Sequence, residues 1–277
     1  MQEAKEFRDY WTPNVIEHER GFVLAFAGIR ADSHRNGIFF AESESIDGPW
    51  KLISTKFEPQ GRWQHFSIDL GPGSFCEEGR IFFFFSNKSL QMDLGKLPPL
   101  ISPLSVTSFL KSPALYRKGW IPHPDLWKNV IRRIGLLCLV SHENGFEVQV
   151  SGPLDLNGRK GSQSESVFCP GYIRLDRNNF LVMATSIYSK GRPHEQAICY
   201  VETEVGPLLW KEPMPVTILL RSSDLPKEFA DRSAMDTPDP VLSADGSLTL
   251  YFSAQPRKTG QWMILKCGLE YDSDDDC

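Results

Sequence analysis

Four carboxylates stand where this chain could do acid–base chemistry, Asp69, Asp125, Glu165 and Asp239, with Asp236 near them as a substrate-binding residue. Carboxyl groups directed into one concave, partly desolvated space perturb each other's ionisation, so that one becomes an acid while another stays a base. Beside them are residues suited to holding a polar ligand: Asn14, Arg30, His34, His123 and His194. The same residue types have structural uses. An Asp or Asn near a proline caps a turn through its own side chain, and a histidine between prolines, such as His123, also serves as a structural donor. Glu165, in Ser162-Gln163-Ser164-Glu165-Ser166, has no such turn role. The chain has no HExxH, paired CxxC or calcium-loop pattern, and no GxSxG elbow or glycine-rich phosphate loop. Neither a metal nor a cofactor is expected, and serine-hydrolase or nucleotide chemistry has no motif to rest on.

The elements that must position these residues recur. Five times a proline sits in a short polar lead-in, followed about eight to ten residues later by an apolar run. The copies are Thr12-Pro13-Asn14 before Phe22 to Phe26, Gly71-Pro72-Gly73 before Ile81 to Phe85, and His123-Pro124-Asp125 before Ile134 to Val140. Two more are Cys169-Pro170-Gly171 before Phe180 to Ala184, and Thr237-Pro238-Asp239 before Leu248 to Phe252. Successive prolines lie roughly 46 to 68 residues apart, the length of a four-stranded unit with variable loops. A unit unable to bury its own apolar face must stack on its neighbours. The repeat therefore predicts an all-β, five-bladed β-propeller of four-stranded antiparallel blades. It forms a single domain over residues 1–271, with an acidic tail at 272–277. Asp47-Gly48-Pro49-Trp50, Gly152-Pro153-Leu154 and Gly206-Pro207-Leu208 read as hairpin turns, as does Asp245-Gly246.

Closing such blades into a ring brings the entrances of their first strands to one mouth of a central channel, where loops on a rigid scaffold collect a site. The converging positions are Asn14, the His65 to Asp69 stretch, His123 with Asp125, Glu165 with Cys169, and Asp236 with Asp239. Rim loops add Arg30, Asp32, His34 and Arg35, then Arg192 and His194, then Arg257.

Composition narrows the partners. The 277 residues are 41% hydrophobic and 12% aromatic, with 21 glycines and 20 prolines, which suits many short strands joined by turns. A net charge of −5 and a pI near 5.7 speak against a nucleic-acid partner, and Lys128, Arg132 and Arg133 read as a solvated face. No run is long enough to span a membrane, and the first residues lack a signal peptide's apolar region, so a cytoplasmic protein is expected. The six cysteines are scattered, and most sit in apolar strand contexts as small hydrophobes; Cys169, in a repeat lead-in, is the exception.

The chain resembles the five-bladed propeller glycosidases of the arabinanase, xylosidase and levanase type. The likeness rests on Trp11-Thr12-Pro13-Asn14-Val15-Ile16, on Ile38 to Trp50 with its Ala41-Glu42-Ser43-Glu44-Ser45 and Gly48-Pro49-Trp50, and on Asp239-Pro240-Val241 through Asp245-Gly246 to Leu250-Tyr251-Phe252. It implies a carbohydrate substrate, with Glu165 as general acid and Asp125 tuning its ionisation. The base position of the first blade is occupied by Asn14. An amide cannot take a proton from water, so the base falls to Asp239 or Asp69. Two other readings stand beside hydrolysis. One is an isomerase or cyclase acting on a small metabolite, with Asn14, His123 and Glu165 positioning it and Leu94 to Lys118 as a lid. The other is a glycan-binding propeller without chemistry, using mouth tryptophans such as Trp11, Trp63, Trp120 or Trp127 for stacking.

Overall fold

Apolar residues alternate with polar ones along much of the chain, and hairpin turns join these stretches, so consecutive segments pair as antiparallel strands. The computed structural model describes residues 6–32, 36–58, 67–90, 130–142, 145–154, 156, 167–189, 192–204, 206, 210, 214–230, 234–256 and 261–271. The first sheet comprises β1 (Phe7–His18), β2 (Gly21–Arg30), β3 (Asn36–Ser43) and β4 (Lys51–Phe57). The second holds β5 (Ser67–Glu77), β6 (Arg80–Leu90), β7 (Val130–His142) and β8 (Gly145–Ser151). The third holds β9 (Phe168–Leu175), β10 (Asn178–Ser189), β11 (Arg192–Thr203) and β12 (Thr217–Arg221). A 3₁₀ turn, Ser222–Asp224, and the short helix α1 (Lys227–Ala230) lead to the fourth, β13 (Ala234–Leu242), β14 (Leu248–Gln255) and β15 (Met263–Leu269).

Within each sheet the strands follow chain order, and the first strands β1, β5, β9 and β13 pack side by side in series. That is a single-domain β-propeller of antiparallel blades. Each boundary is filled from both sides. Val23, Ala25, Ile38 and Phe40 meet Ile68, Leu70, Phe83 and Phe85 between the first two sheets. Phe82, Phe84 and Leu136 meet Leu181, Met183 and Val201 across the next boundary, and Val182 and Ile198 meet Leu250 and Phe252 across the third. Phe82 to Phe85 are fully buried because β6 faces a neighbouring blade on both sides. An unbroken apolar run is what such a position selects.

Four of the five repeats take the place the sequence assigns them: the proline lies in the innermost strand and the apolar run is the second strand. The third copy is different. Ile134 to Val140 pairs with β6, already the second strand of the Ile81 to Phe85 unit, and so forms the third strand of that same sheet. The described residues therefore form four sheets, one of them three-stranded, where the repeat predicts five blades. An apolar run marks a strand buried on both faces, which the second and third strands of one blade satisfy equally. His123-Pro124-Asp125 lies outside the described residues.

Two of the turns follow expectation: Gly48, at φ 87°, lies between β3 and β4, and Gly246, at φ 84°, closes a hairpin in which Asp245 Oδ1 accepts from Ser247 N at 3.0 Å. Gly152, at φ 121°, follows the last strand of the second sheet and so closes no hairpin, and Pro207 and Leu208 lie outside the described residues. Burial corrects one cysteine: Cys76 is exposed, its thiol donating to the Glu17 carbonyl, because it lies at the outer end of β5. Among the described residues no helix is long and apolar enough to cross a membrane.

Candidate active site

In each innermost strand the pairing slips at the proline: between Trp11 and Asn14, Leu70 and Ser74, and Asp236 and Asp239, with the equivalent slip at Cys169-Pro170 opposite β10. The extra residues form bulges, which bend a strand and re-aim side chains. Thr12, Cys169 and Thr237, each just before the proline, take φ of 47°, 50° and 47°. Left-handed backbone at non-glycine residues is costly and persists where the surroundings enforce it. Here the same constraint recurs around one axis.

Residues at the first three bulges pack against the next innermost strand. Asn14 Nδ2 donates to the Gly71 and Pro72 carbonyls at 3.2 and 2.7 Å, and its Oδ1 accepts from Ser74 Oγ at 2.9 Å. A Cβ on Gly171 would strike the Pro238 carbonyl oxygen, and one on Gly71 the Pro170 carbonyl oxygen. Asn14, expected to bind substrate, instead has both polar atoms committed to joining the first two blades. Its side chain is buried, so Asn14→Ala is expected to cost about 2–3 kcal/mol by taking a partner from two carbonyls and a hydroxyl. Urea unfolding measures the loss.

Asp239 occupies the equivalent place in the fourth sheet. Burial pushes its carboxyl above the usual carboxylate range. A carboxyl raised in the folded state contributes stability that is present below its unfolded value, about 3.9, and is lost as pH rises through the folded one. Asp239→Asn is therefore expected to raise Tm at pH 7–8 by about 2 °C, an effect that fades below pH ~4. Calorimetry across pH tests this.

The mouth end of the innermost strands gathers a different set. Trp11 Nε1, from β1, donates to Asp69 Oδ1, on β5, at 3.0 Å. On β13, Asp236 Oδ1 accepts from Thr237 N at 2.8 Å, and the Cys169 thiol of β9 donates to the same carboxyl. Arg132, from β7, sets its charge beside Asp236 and its guanidinium 4.1 Å over the Phe168 ring. Burial holds the Asp236 carboxyl above the ordinary range. The hydrogen bonds from Cys169 and Thr237 and the Arg132 charge pull it back, while the negative charge of Asp69 pushes it up again. Around this set Gln196 Oε1 accepts from Met235 N at 2.6 Å, and Thr237 Oγ1 lies 2.8 Å from Ser253 Oγ. Two carboxyls, one of them with its proton favoured by burial, thus act on each other, with an arginine charge beside Asp236. That combination suits general acid–base catalysis on a polar, uncharged substrate.

The structure thus brings Asp69 and Asp236 together and assigns Asn14 to blade joining. Arg30 sits at the end of β2, its guanidinium 3.7 Å from Glu6 and 3.4 Å from Asp32, on the rim. His34, His123, Asp125 and Glu165 lie outside the described residues, and His194 is placed only as a position on β11. The basic run misled: Arg132 is partly buried on an aromatic ring at the site, and its place at the mouth depends on β7 being a third strand, which no local pattern announces. Trp11, Cys169, Asp69 and Asp236 were all visible as mouth positions, but which of them would meet was not.

No protein-family model matches this chain, and no curated protein matches it in sequence. Solved structures do. An exo-1,5-α-L-arabinanase from a bovine ruminal metagenomic library is 11% identical at TM-score 0.56, the match covering 97% of this chain and 77% of that one. An endo-arabinase from Bacteroides thetaiotaomicron is 14% identical at TM-score 0.55, covering 96% and 77%. A family-32 β-fructofuranosidase of Bombyx mori, in complex with sucrose, is 11% identical at TM-score 0.60, covering 95% of this chain and 46% of the enzyme. What these structures share with this chain is the β-propeller fold.

Proposed function

We propose that the protein is a carbohydrate-active, glycoside-hydrolase-like enzyme whose site is the propeller mouth. The observation that carries this reading is the meeting of Trp11, Asp69, Arg132 and Asp236, remote in sequence, around two carboxyls. Asp236 gives its proton to the departing glycosidic oxygen. Asp69, held by Trp11, draws a proton from water on the other face of the sugar, or attacks the anomeric carbon itself. A carboxyl separation of about 6.5–9.5 Å serves the first course and about 5–5.5 Å the second. Arg132 stands against the charge that develops on the leaving group.

The sequence-based alternatives sort by experiment. Glu165 competes with Asp236 as acid and Asp239 with Asp69 as base, so turnover by E165Q, D236N, D69N and D239N assigns the pair. A fifth blade completing the ring is part of the proposal. It is supported by the outward faces of the first and last sheets, where Val15, Tyr251 and Ile264 are exposed. The reading is tested with aryl glycosides, beginning with α-L-arabinofuranoside and β-fructofuranoside because enzymes of similar fold carry those names. Release of the aryl group, abolished by D69N, is the expected result. Binding of the sugars with no release from any member would favour a glycan-binding propeller, and conversion without release of a fragment an isomerase or cyclase.

A further inference from the structure

The fourth sheet ends on an open edge. Three of the sheets have four strands and this one has three, so β15 is its outermost strand, and among the described residues none pairs with its far side. An unpaired edge presents a row of backbone N–H and C=O groups that a further strand can take up. Along β15 the side chains alternate. Leu265, Cys267 and Leu269 pack into the cluster shared with the third sheet, while Ile264, Lys266, Gly268 and Glu270 are exposed on the opposite face. Tyr271 continues the alternation past the last paired residue: its hydroxyl accepts from Asn178 Nδ2 at 3.1 Å and its ring lies 5.5 Å from that of Phe180, both on β10 of the third sheet.

Charge decides what this edge accepts. A lysine on an edge strand ordinarily repels a second copy of itself. Here Lys266 and Glu270 stand two residues to either side of Gly268, on one face. In an antiparallel pair of identical strands with its two-fold at Gly268, residue 266 of each copy lies opposite residue 270 of the other. Both lysines then meet a glutamate, and opposite charges directly across a strand pair stabilise it. The two-fold of such a pair is perpendicular to the sheet, so each face stays on its own side and Cys267 of one copy comes opposite Leu269 of the other. At the two-fold a Cβ on Gly268 would meet nothing within 4 Å, so the approach is open. The strand that carries Asp236, β13, is two strands away from this edge, so pairing there does not enter the mouth.

We propose that β15 pairs antiparallel with β15 of a second copy about a two-fold at Gly268, joining two propellers through one continuous sheet. The Lys266 and Glu270 pairs set the register: a slide in either direction takes each lysine away from its glutamate. The proposal is independent of the reaction at the mouth.

Sedimentation velocity of the full chain over a concentration series measures the association. Wild type is expected to form a dimer. K266E and E270K each set like charges opposite one another twice, and each is expected to weaken the dimer by at least about tenfold. K266E/E270K restores opposite charges in reverse order and is expected to return to within about threefold of wild type. Four residues apart on one strand, the two groups are about 13 Å from each other, too far to pair within a chain, so the recovery reports contact between copies. A monomer at every concentration, single variants that associate as well as wild type, or a double variant without recovery would overturn the proposal. Gly268→Cys in a C76S/C277S background gives a second reading that does not depend on charge. Mild oxidation is expected to link two copies through residue 268, identified by mass spectrometry of the digested product, and the absence of that link counts against the two-fold.

Discussion

Asp236→Asn is expected to lower kcat on a cleaved glycoside by about 10²- to 10⁴-fold, the usual loss on removing a general acid, with binding retained. The amide keeps an oxygen for Thr237 N and for the Cys169 thiol but has no proton of the required acidity to give. The wild-type pH profile should carry an alkaline limb set by Asp236, displaced upward from ordinary carboxylates because burial disfavours its charge, and D236N should lack it. Stability should move the other way. Since the folded-state carboxyl is raised, its ionisation costs stability as pH climbs through the folded value, and an amide avoids that cost. The variant is thus expected to be at least as stable as wild type at pH 7–8 and to lose that advantage below pH ~4. Steady-state kinetics and calorimetry on one preparation distinguish a missing acid from a damaged fold. Full turnover in D236N, with turnover lost in E165Q, would transfer the acid role to Glu165.

Gly171→Ala has the largest expected effect on stability. The added methyl is aimed at the Pro238 carbonyl and at the ring of Pro240, both in the next innermost strand, so nothing flexible can move aside. Overpacking ordinarily costs about 1–3 kcal/mol and more where only backbone can yield, so a loss of at least about 3 kcal/mol is expected. Gly268→Ala is the control: nothing lies within 4 Å of its added methyl, and the change should stay within about 0.5 kcal/mol. Chemical denaturation of both proteins reads the difference. A Gly171→Ala protein as stable as the control would mean the innermost strands are not in close contact.

Much of this fold was legible because its signals are local. A proline before a bulge, an apolar run and a glycine turn each depend on a few adjacent residues, and Pro13, Pro72, Pro170 and Pro238 all sit in innermost strands. The miscounted unit at Ile134 to Val140 shows the limit: the run reveals burial on both faces but not the strand's rank within its blade. The site was legible in part for the same reason. Asp69 and Asp236 could be placed at the mouth by their distance from a proline, whereas Asn14 looked like a ligand until its amide was seen joined to Gly71, Pro72 and Ser74. Arg132 had no signature, since its role is set by a ring and a carboxyl on other sheets. Aspartates at equivalent places in different blades also have different fates, decided by the neighbour each one faces.

The serial packing of β1, β5, β9 and β13 has a consequence for how this protein can change over evolution. Every described sheet lends at least one group to the mouth, so no excised hairpin or half-chain retains the whole set, and the smallest unit that does is the whole arc. An altered mouth can nevertheless arise one sheet at a time, because each contributes from its own separate stretch of chain.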